Sequence, residues 1–212
     1  MTSEKAVEKI CNFCSESALK VLLIARDHYS NPVMIFHCQN CCALVPDYEL
    51  SDSDVLRHQA EFHAQYWSNC ASEAVIEEAR QMEHTVRFYG DRLSRYEPSS
   101  PVLDLGGGRG LLTRALLDNG YNVLGCDPSA ELSACAHDVL GIPKDRYAQM
   151  DMVEFARTRR SDLEGRVGAV FLWHVIEHLE NPLDALRHLK PLLRPDGLII
   201  GQGPLLDPAY IF

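Results

Sequence analysis

Residues 104–110 read DLGGGRG, with the apolar run PVL before them and LLTRALL after. So many glycines between an apolar run and a helical pattern mark a place where the backbone must lie bare, and strand-turn-helix is the local reading. The same alternation repeats outward from it. PVLDLG, NVLGCD, RYAQMD, VGAVFLWHV and LIIGQG read as strands. GLLTRALLDNG, PSAELSACAHDVLG and NPLDALRHLKPLL read as helices, the first ended by Gly120 and the second carrying Pro128 near its start. RPDG reads as the turn before the last strand. VGAVFLWHV is apolar throughout, as a strand covered on both faces must be. The alternation predicts right-handed crossovers and an α/β fold, a doubly wound parallel sheet of five strands. Ligands of such sheets sit outside the carboxyl ends of the strands, at the switch point beside the first strand, so the glycine stretch is the candidate site.

Three segments separate by pattern. Residues 1–47 hold paired cysteines and two β-like runs, KVLLIA and VMIFHC, around a turn at Ser30-Asn31-Pro32. Residues 48–97 are polar and helical. There Val75, Ala79, Met82, Val86, Tyr89 and Leu93 recur at three- and four-residue steps, one face of a long helix that EPSSP stops. Residues 98–212 carry the alternating pattern.

Dinucleotide sites use G-x-G-x-x-G/A. Aligned on Gly106 and Gly108, that pattern puts Leu111 where the small third residue belongs, so the fit fails. The spacing present is Asp104-x-Gly106-x-Gly108-x-Gly110. It resembles the first motif of the class I S-adenosylmethionine-dependent methyltransferases, whose fold is Rossmann-like. HVIEHL (174–179) is similar to a phrase of their small-molecule branch, which includes the ubiquinone-pathway O-methyltransferases. The resemblance covers about residues 98–204. It implies that Asp104, Gly106, Gly108 and Gly110 cradle S-adenosyl-L-methionine. It also implies that Asp127, ending the second strand, accepts the ribose hydroxyls, and that Asp151, ending the third between Met150 and Met152, meets the adenine amino group.

Methyl transfer from a sulfonium is an in-line displacement, so the protein positions the acceptor and, for an O–H or acidic C–H group, removes a proton. His174 ends the fourth strand, and Glu177 and His178 follow on one helical face. His174 and His178 are the candidate catalytic residues. Trp173 reads as core or cofactor wall, and Cys126 and Cys135 as packing.

Of the eight cysteines, five lie between Cys11 and Cys42. Cys11-x-x-Cys14 and Cys38-x-x-Cys41 bracket the two β-like runs, the arrangement of a zinc ribbon. Four thiolates leave no open coordination position, so the expected zinc is structural and supplies folding energy that so small a segment lacks. Cys42 and His37 adjoin the last pair. Similar zinc modules occur in small-molecule methyltransferases and in some rRNA methyltransferases.

The net charge of −10, with only Lys20 and Arg26 as basic residues between the cysteine pairs, argues against nucleic acid. The start MTSEKAVEKI lacks a signal-peptide core and no long apolar run follows, so a cytoplasmic protein without a membrane segment is expected. The resemblance implies two further strands beyond LIIGQG. Either the sequence is a fragment, or the last strand is an open apolar edge that a partner or a second copy is expected to cover. The leading expectation is a methyltransferase acting on an O or C nucleophile of a small molecule. Its rivals are an RNA methyltransferase that grips RNA with the zinc module, and a truncated, non-catalytic cofactor-binding or scaffold protein.

Overall fold

The structure, a computed structural model, describes residues 10, 11, 14, 16–26, 32–46, 72–179 and 181–203. They fall in two compact units, within 10–46 and 72–203. The first is an antiparallel sheet of β1 (Leu19–Arg26), β2 (Pro32–Cys38) and β3 (Leu44–Pro46), in that order. Apart from Pro32, which opens β2, the expected turn lies outside the described residues. The buried centre is Cys11 and Cys38, with Cys14, Leu19, Phe36 and Ala43 against them. Val21, Leu22 and Ile24 stay exposed. So little apolar burial holds no fold by itself, and thiols occupy the place of a core.

The second unit carries α1 (Ser72–Gln81) and α2 (Glu83–Leu93), then the alternating strands and helices. These are β4 (Val102–Leu105), α3 (Leu111–Asp118), β5 (Val123–Asp127), α4 (Ala130–Asp138) and β6 (Tyr147–Gln149). There follow α5 (Met152–Thr158), α6 (Arg160–Leu163), β7 (Val167–Trp173), α7 (Pro182–Leu189) and β8 (Leu193–Gln202). The five strands are parallel in the order β6-β5-β4-β7-β8, so strand order reverses between β4 and β7. The doubly wound, Rossmann-like architecture expected from the alternation is present, and the switch point lies where β4 meets the glycine loop.

Alternate residues of the strands feed opposite faces. Leu103, Leu105, Val170 and Leu172 pack with Phe155, Ala156, Ala185 and Leu189 from α5 and α7. Val102, Val123, Ala169 and Phe171 pack with Val86, Leu93, Leu112 and Leu116 from α2 and α3. Each fully buried leucine contributes about 1.5–3 kcal/mol, so these two layers hold the sheet firmly enough to present its rim.

Three expectations change in detail. The long helix before EPSSP is two helices that break at Met82, yet the predicted face is retained: Val75, Ala79, Val86 and Leu93 are buried. RPDG is not a turn ahead of a strand but a bulge inside β8. Val167 pairs with Leu193 and Ala169 with Leu198, so the residues between bow out while pairing continues on both sides. Helices α5 and α6 are additions to the expected pattern. They are short, with Met152, Phe155, Ala156 and Leu163 as their buried residues. No helix among the described residues is long and apolar enough to cross a membrane.

Candidate functional site

The glycine loop leaves β4 at Leu105 and folds back over the end of β5. The N–H groups of Gly106 and Gly107 both donate to the Cys126 carbonyl, at 2.9 and 3.0 Å. Gly110 ends the loop as the residue preceding α3, with φ +78°, a left-handed conformation that glycine adopts without strain. A Cβ there would also sit 2.7 Å from Ile142 Cδ1 and 3.0 Å from Ala136 Cβ. Part of the demand for bare backbone therefore comes from the protein beneath the loop, in addition to any ligand above it.

Asp104 is 1% exposed. Its Oδ2 accepts the Thr113 backbone N–H at 3.0 Å and the Thr113 hydroxyl at 2.7 Å. From inside the strand it satisfies a first-turn donor of α3, the service that a helix cap performs from outside. Burial raises its pKa to about 6 against the two Thr113 bonds that lower it, and the nearby Asp127 carboxylate adds to the rise. Two carboxylates thus sit close together under the loop, an arrangement that favours a cationic ligand.

Asp127, at the end of β5 and 7% exposed, accepts the Gly108 N–H on Oδ2 and the Ser129 N–H on Oδ1, each at 2.9 Å. The cap of α4 is Ser129, whose side chain accepts from Leu132 N–H. These two bonds engage one direction on each carboxylate oxygen. Gly108 is held from its other side as well, its carbonyl accepting the Tyr147 hydroxyl at 2.7 Å. Tyr147 is buried, which keeps its phenol protonated as a donor. Its ring passes over β5 where Gly125 leaves space: a Cβ there would lie 2.5 Å from Tyr147 Cδ2. Arg109, almost wholly buried, forms an ion pair with Glu78 on α1.

Asp151 is exposed and caps α5, its Oδ1 accepting from Val153 and Glu154 N–H at 2.8 and 2.9 Å. Asp104, Asp127 and the glycines are brought into one connected network, while Asp151 stands at the end of β6 beside it.

At the end of β7 the chain turns sharply. His174 takes φ +54°, strained for a residue with a Cβ, and its N–H donates to the Gln202 carbonyl at 2.7 Å. Its Nδ1 lies 3.2 Å from Glu177 Oε1, and its Nε2 lies 3.5 Å from Gln202 Nε2. Residues Ile176–His178 form one 3-10 turn, not an α-helical face, and this turn sets Glu177 against His174 while His178 lies exposed on the same turn. Trp173 packs edge-on against Tyr89, on the core side.

In the first unit, the Sγ atoms of Cys11, Cys14, Cys38 and Cys41 all lie within 4.8 Å of one another, and Cys11–Cys41 and Cys14–Cys38 are each 3.6 Å apart. Ligands about 2.3 Å from a tetrahedral zinc stand roughly 3.8 Å apart, so this donor set fits zinc. The Cys41 backbone N–H draws the Cys38 thiol down to about 7. At Cys41 the Ala43 N–H also pulls downward, but desolvation and the crowding thiols outweigh it and push Cys41 up to about 12. Thiols opposed in this way lack a counter-cation, which a divalent metal supplies. His37 faces Gln39, 2.8 Å away, and Cys42 is exposed and stands outside the cluster.

Sequence reading missed Thr113, Tyr147, Glu78, Arg109 as an ion-pair partner, and Gln202. A threonine in the first turn after Gly110, and a glycine in mid-strand at 125, were the available signals. The other partners arrive from distant elements and left none.

A family model described as a methyltransferase domain matches residues 77–210. The ubiquinone biosynthesis O-methyltransferase of Actinobacillus pleuropneumoniae serotype 7 (strain AP76) is 30% identical over 101 residues, 46% of this chain and 43% of that protein. That of Pseudomonas aeruginosa (strain UCBPP-PA14) is 30% identical over 115 residues, 52% of this chain and 47% of its own. The chain spans less than half the length of these curated relatives. A SAM dependent methyltransferase from Archaeoglobus fulgidus shares the fold, with a TM-score of 0.50 at 18% identity over 60% of this chain and 54% of that one.

Proposed function

We propose that this chain, which belongs to the methyltransferase domain family, transfers a methyl group from S-adenosyl-L-methionine to an oxygen or carbon nucleophile of a small molecule. The observation that carries this reading is the pair of buried carboxylates, Asp104 and Asp127, beneath a glycine loop at the switch point. Bound S-adenosyl-L-methionine supplies a methyl group already activated as a sulfonium. The chain's own residues bind, orient and manage one proton. Asp104, Gly106, Gly108 and Gly110 form the floor of the cofactor site, and the charge of Asp104 favours the cationic methionyl end. Asp127, at the end of β5, accepts the ribose hydroxyls. Asp151 faces the adenine from the end of β6.

His174 takes the acceptor's proton. Glu177 on Nδ1 fixes the ring's orientation and stabilises the imidazolium that results, so Nε2 is the basic atom. His178, on the same turn, is the second candidate. Zinc bound by Cys11, Cys14, Cys38 and Cys41 is structural, within a module over 1–47. Of the helical segment ahead of the alternating strands, α1 and α2 are the described part, and the family match begins at residue 77. A cytoplasmic setting, no nucleic-acid partner and a second copy paired along the β8 edge complete the reading, the last checked by light scattering.

Calorimetric titration with S-adenosylhomocysteine tests the function. The chain is expected to bind it, and Asp127→Ala to weaken binding at least tenfold, since hydrogen bonds to a charged group contribute roughly 1.5–3 kcal/mol. No binding by the unaltered chain, or binding that Asp127→Ala leaves unchanged, would sink the proposal.

A further inference from the structure

Arg109 lies within the glycine loop, between Gly108, which Asp127 and Tyr147 hold, and Gly110, which starts α3. Its side chain is 7% exposed, and Glu78, on helix α1, faces it as an ion-pair partner with 43% of its own side chain exposed. Helix α1 precedes the alternating fold and docks on it through a narrow face. Val75 and Ala79 pack with Ala136, Leu140, Ile142 and Tyr147. The buried valine and alanine seat the helix, and the ion pair ties the same helix to the loop. The same pair supplies counter-charge to a cation buried inside the loop. Removing the carboxylate would withdraw that counter-charge and loosen the hold of α1 on the loop.

We infer that Glu78 is a positioning residue for the cofactor loop, and that docking of α1 and binding of the cofactor are coupled through the Glu78–Arg109 pair. The inference rests on the loop being the cofactor site. The coupling is reciprocal: a ligand that orders the loop tightens α1, and loosening α1 weakens the ligand. Tyr147 strengthens the link, because it packs against the α1 face and also holds the Gly108 carbonyl.

The experiment uses the full, zinc-loaded chain and S-adenosylhomocysteine, with calorimetry and amide hydrogen exchange. Glu78→Gln is expected to weaken binding about tenfold, within the range of ordinary coupling energies, and Glu78→Asp to restore most of it. Glu77→Gln is the control, since Glu77 is exposed and pairs with Arg80 on the outer face; it should bind normally. In the unaltered chain, S-adenosylhomocysteine should slow exchange across α1, and Glu78→Gln should abolish that slowing. A folded Glu78→Gln chain that binds normally overturns the inference. So does unchanged α1 exchange on ligand binding in the unaltered chain, a result available even if the variant does not fold. Failure of the unaltered chain to bind at all would instead remove the cofactor reading beneath it.

Discussion

Replacing Asp104 by asparagine separates what the buried carboxylate costs the fold from what it does for the ligand. Asparagine presents a carbonyl oxygen where Oδ2 receives both Thr113 bonds, so the cap of α3 is retained while the charge is lost. Burial lifts the folded-state pKa to about 6 from 3.8. A group raised in this way contributes stability that is fully present below the unfolded pKa and lost as pH rises through the folded one. Two pKa units correspond to about 3 kcal/mol, so at pH 8 the wild-type chain carries a penalty of that order which the Asp104→Asn variant lacks. Roughly half of it accrues between pH 5 and pH 8.

Urea unfolding at both pH values should show the stability difference, variant minus wild type, rising by about 1.5 kcal/mol toward pH 8. Ligand binding should move the other way. At pH 5 only about one site in ten holds an ionised Asp104, so wild-type affinity for S-adenosylhomocysteine should fall roughly tenfold from its value at pH 8. The variant should bind weakly at both. If the stability difference is the same at pH 5 and pH 8, the burial argument is wrong. If the Asp104→Asn variant binds the ligand as tightly as wild type at pH 8, the carboxylate is a structural cap and nothing more.

Other outcomes follow from the same geometry. Cys42 sits at φ +62° beside the thiol cluster and outside it, so Cys42→Gly should stabilise the zinc unit by about 1 kcal/mol, read as tighter zinc retention against a chelator. Cys38→Ser should reduce bound zinc, measured by atomic absorption, from about one ion per chain to well below that in a tetrahedral four-thiolate site. Since Cys41 is pushed up to about 12, metal binding must release protons, so retained zinc should decline steadily as pH falls. Tyr147→Phe deletes the bond to the Gly108 carbonyl and should lower stability by about 1 kcal/mol, with a several-fold loss of S-adenosylhomocysteine affinity by calorimetry. An unchanged affinity there would mean that the loop keeps its shape without the phenol.

The parallel sheet, its strands, the glycine loop at the switch point and the pairing of the four cysteines were legible from sequence, because each rests on local pattern. VGAVFLW is buried on both faces, and the paired cysteines precede β1 and close β2, which brings them together at one end of the small sheet. Helix α5 was not legible, since seven residues make about two turns, too few for a helical period to show. Its cap, Asp151, read as a strand-ending carboxylate placed to meet the adenine amino group, and not as a helix cap. RPDG carries every mark of a turn, yet pairing with β7 on either side makes it a bulge.

Where the candidate site lies is written into the chain itself, since the strand-loop-helix pattern and the glycine spacing rest on residues near one another in sequence. How the site is held emerges only on folding. Asp104 meets Thr113 across the strand-to-helix turn, Tyr147 reaches Gly108 over a neighbouring strand, Glu78 meets Arg109 from a helix outside the sheet, and Gln202 meets His174 across β7 and β8. The last three join residues far apart in sequence, and such contacts leave no periodicity because packing, not local backbone preference, selects them.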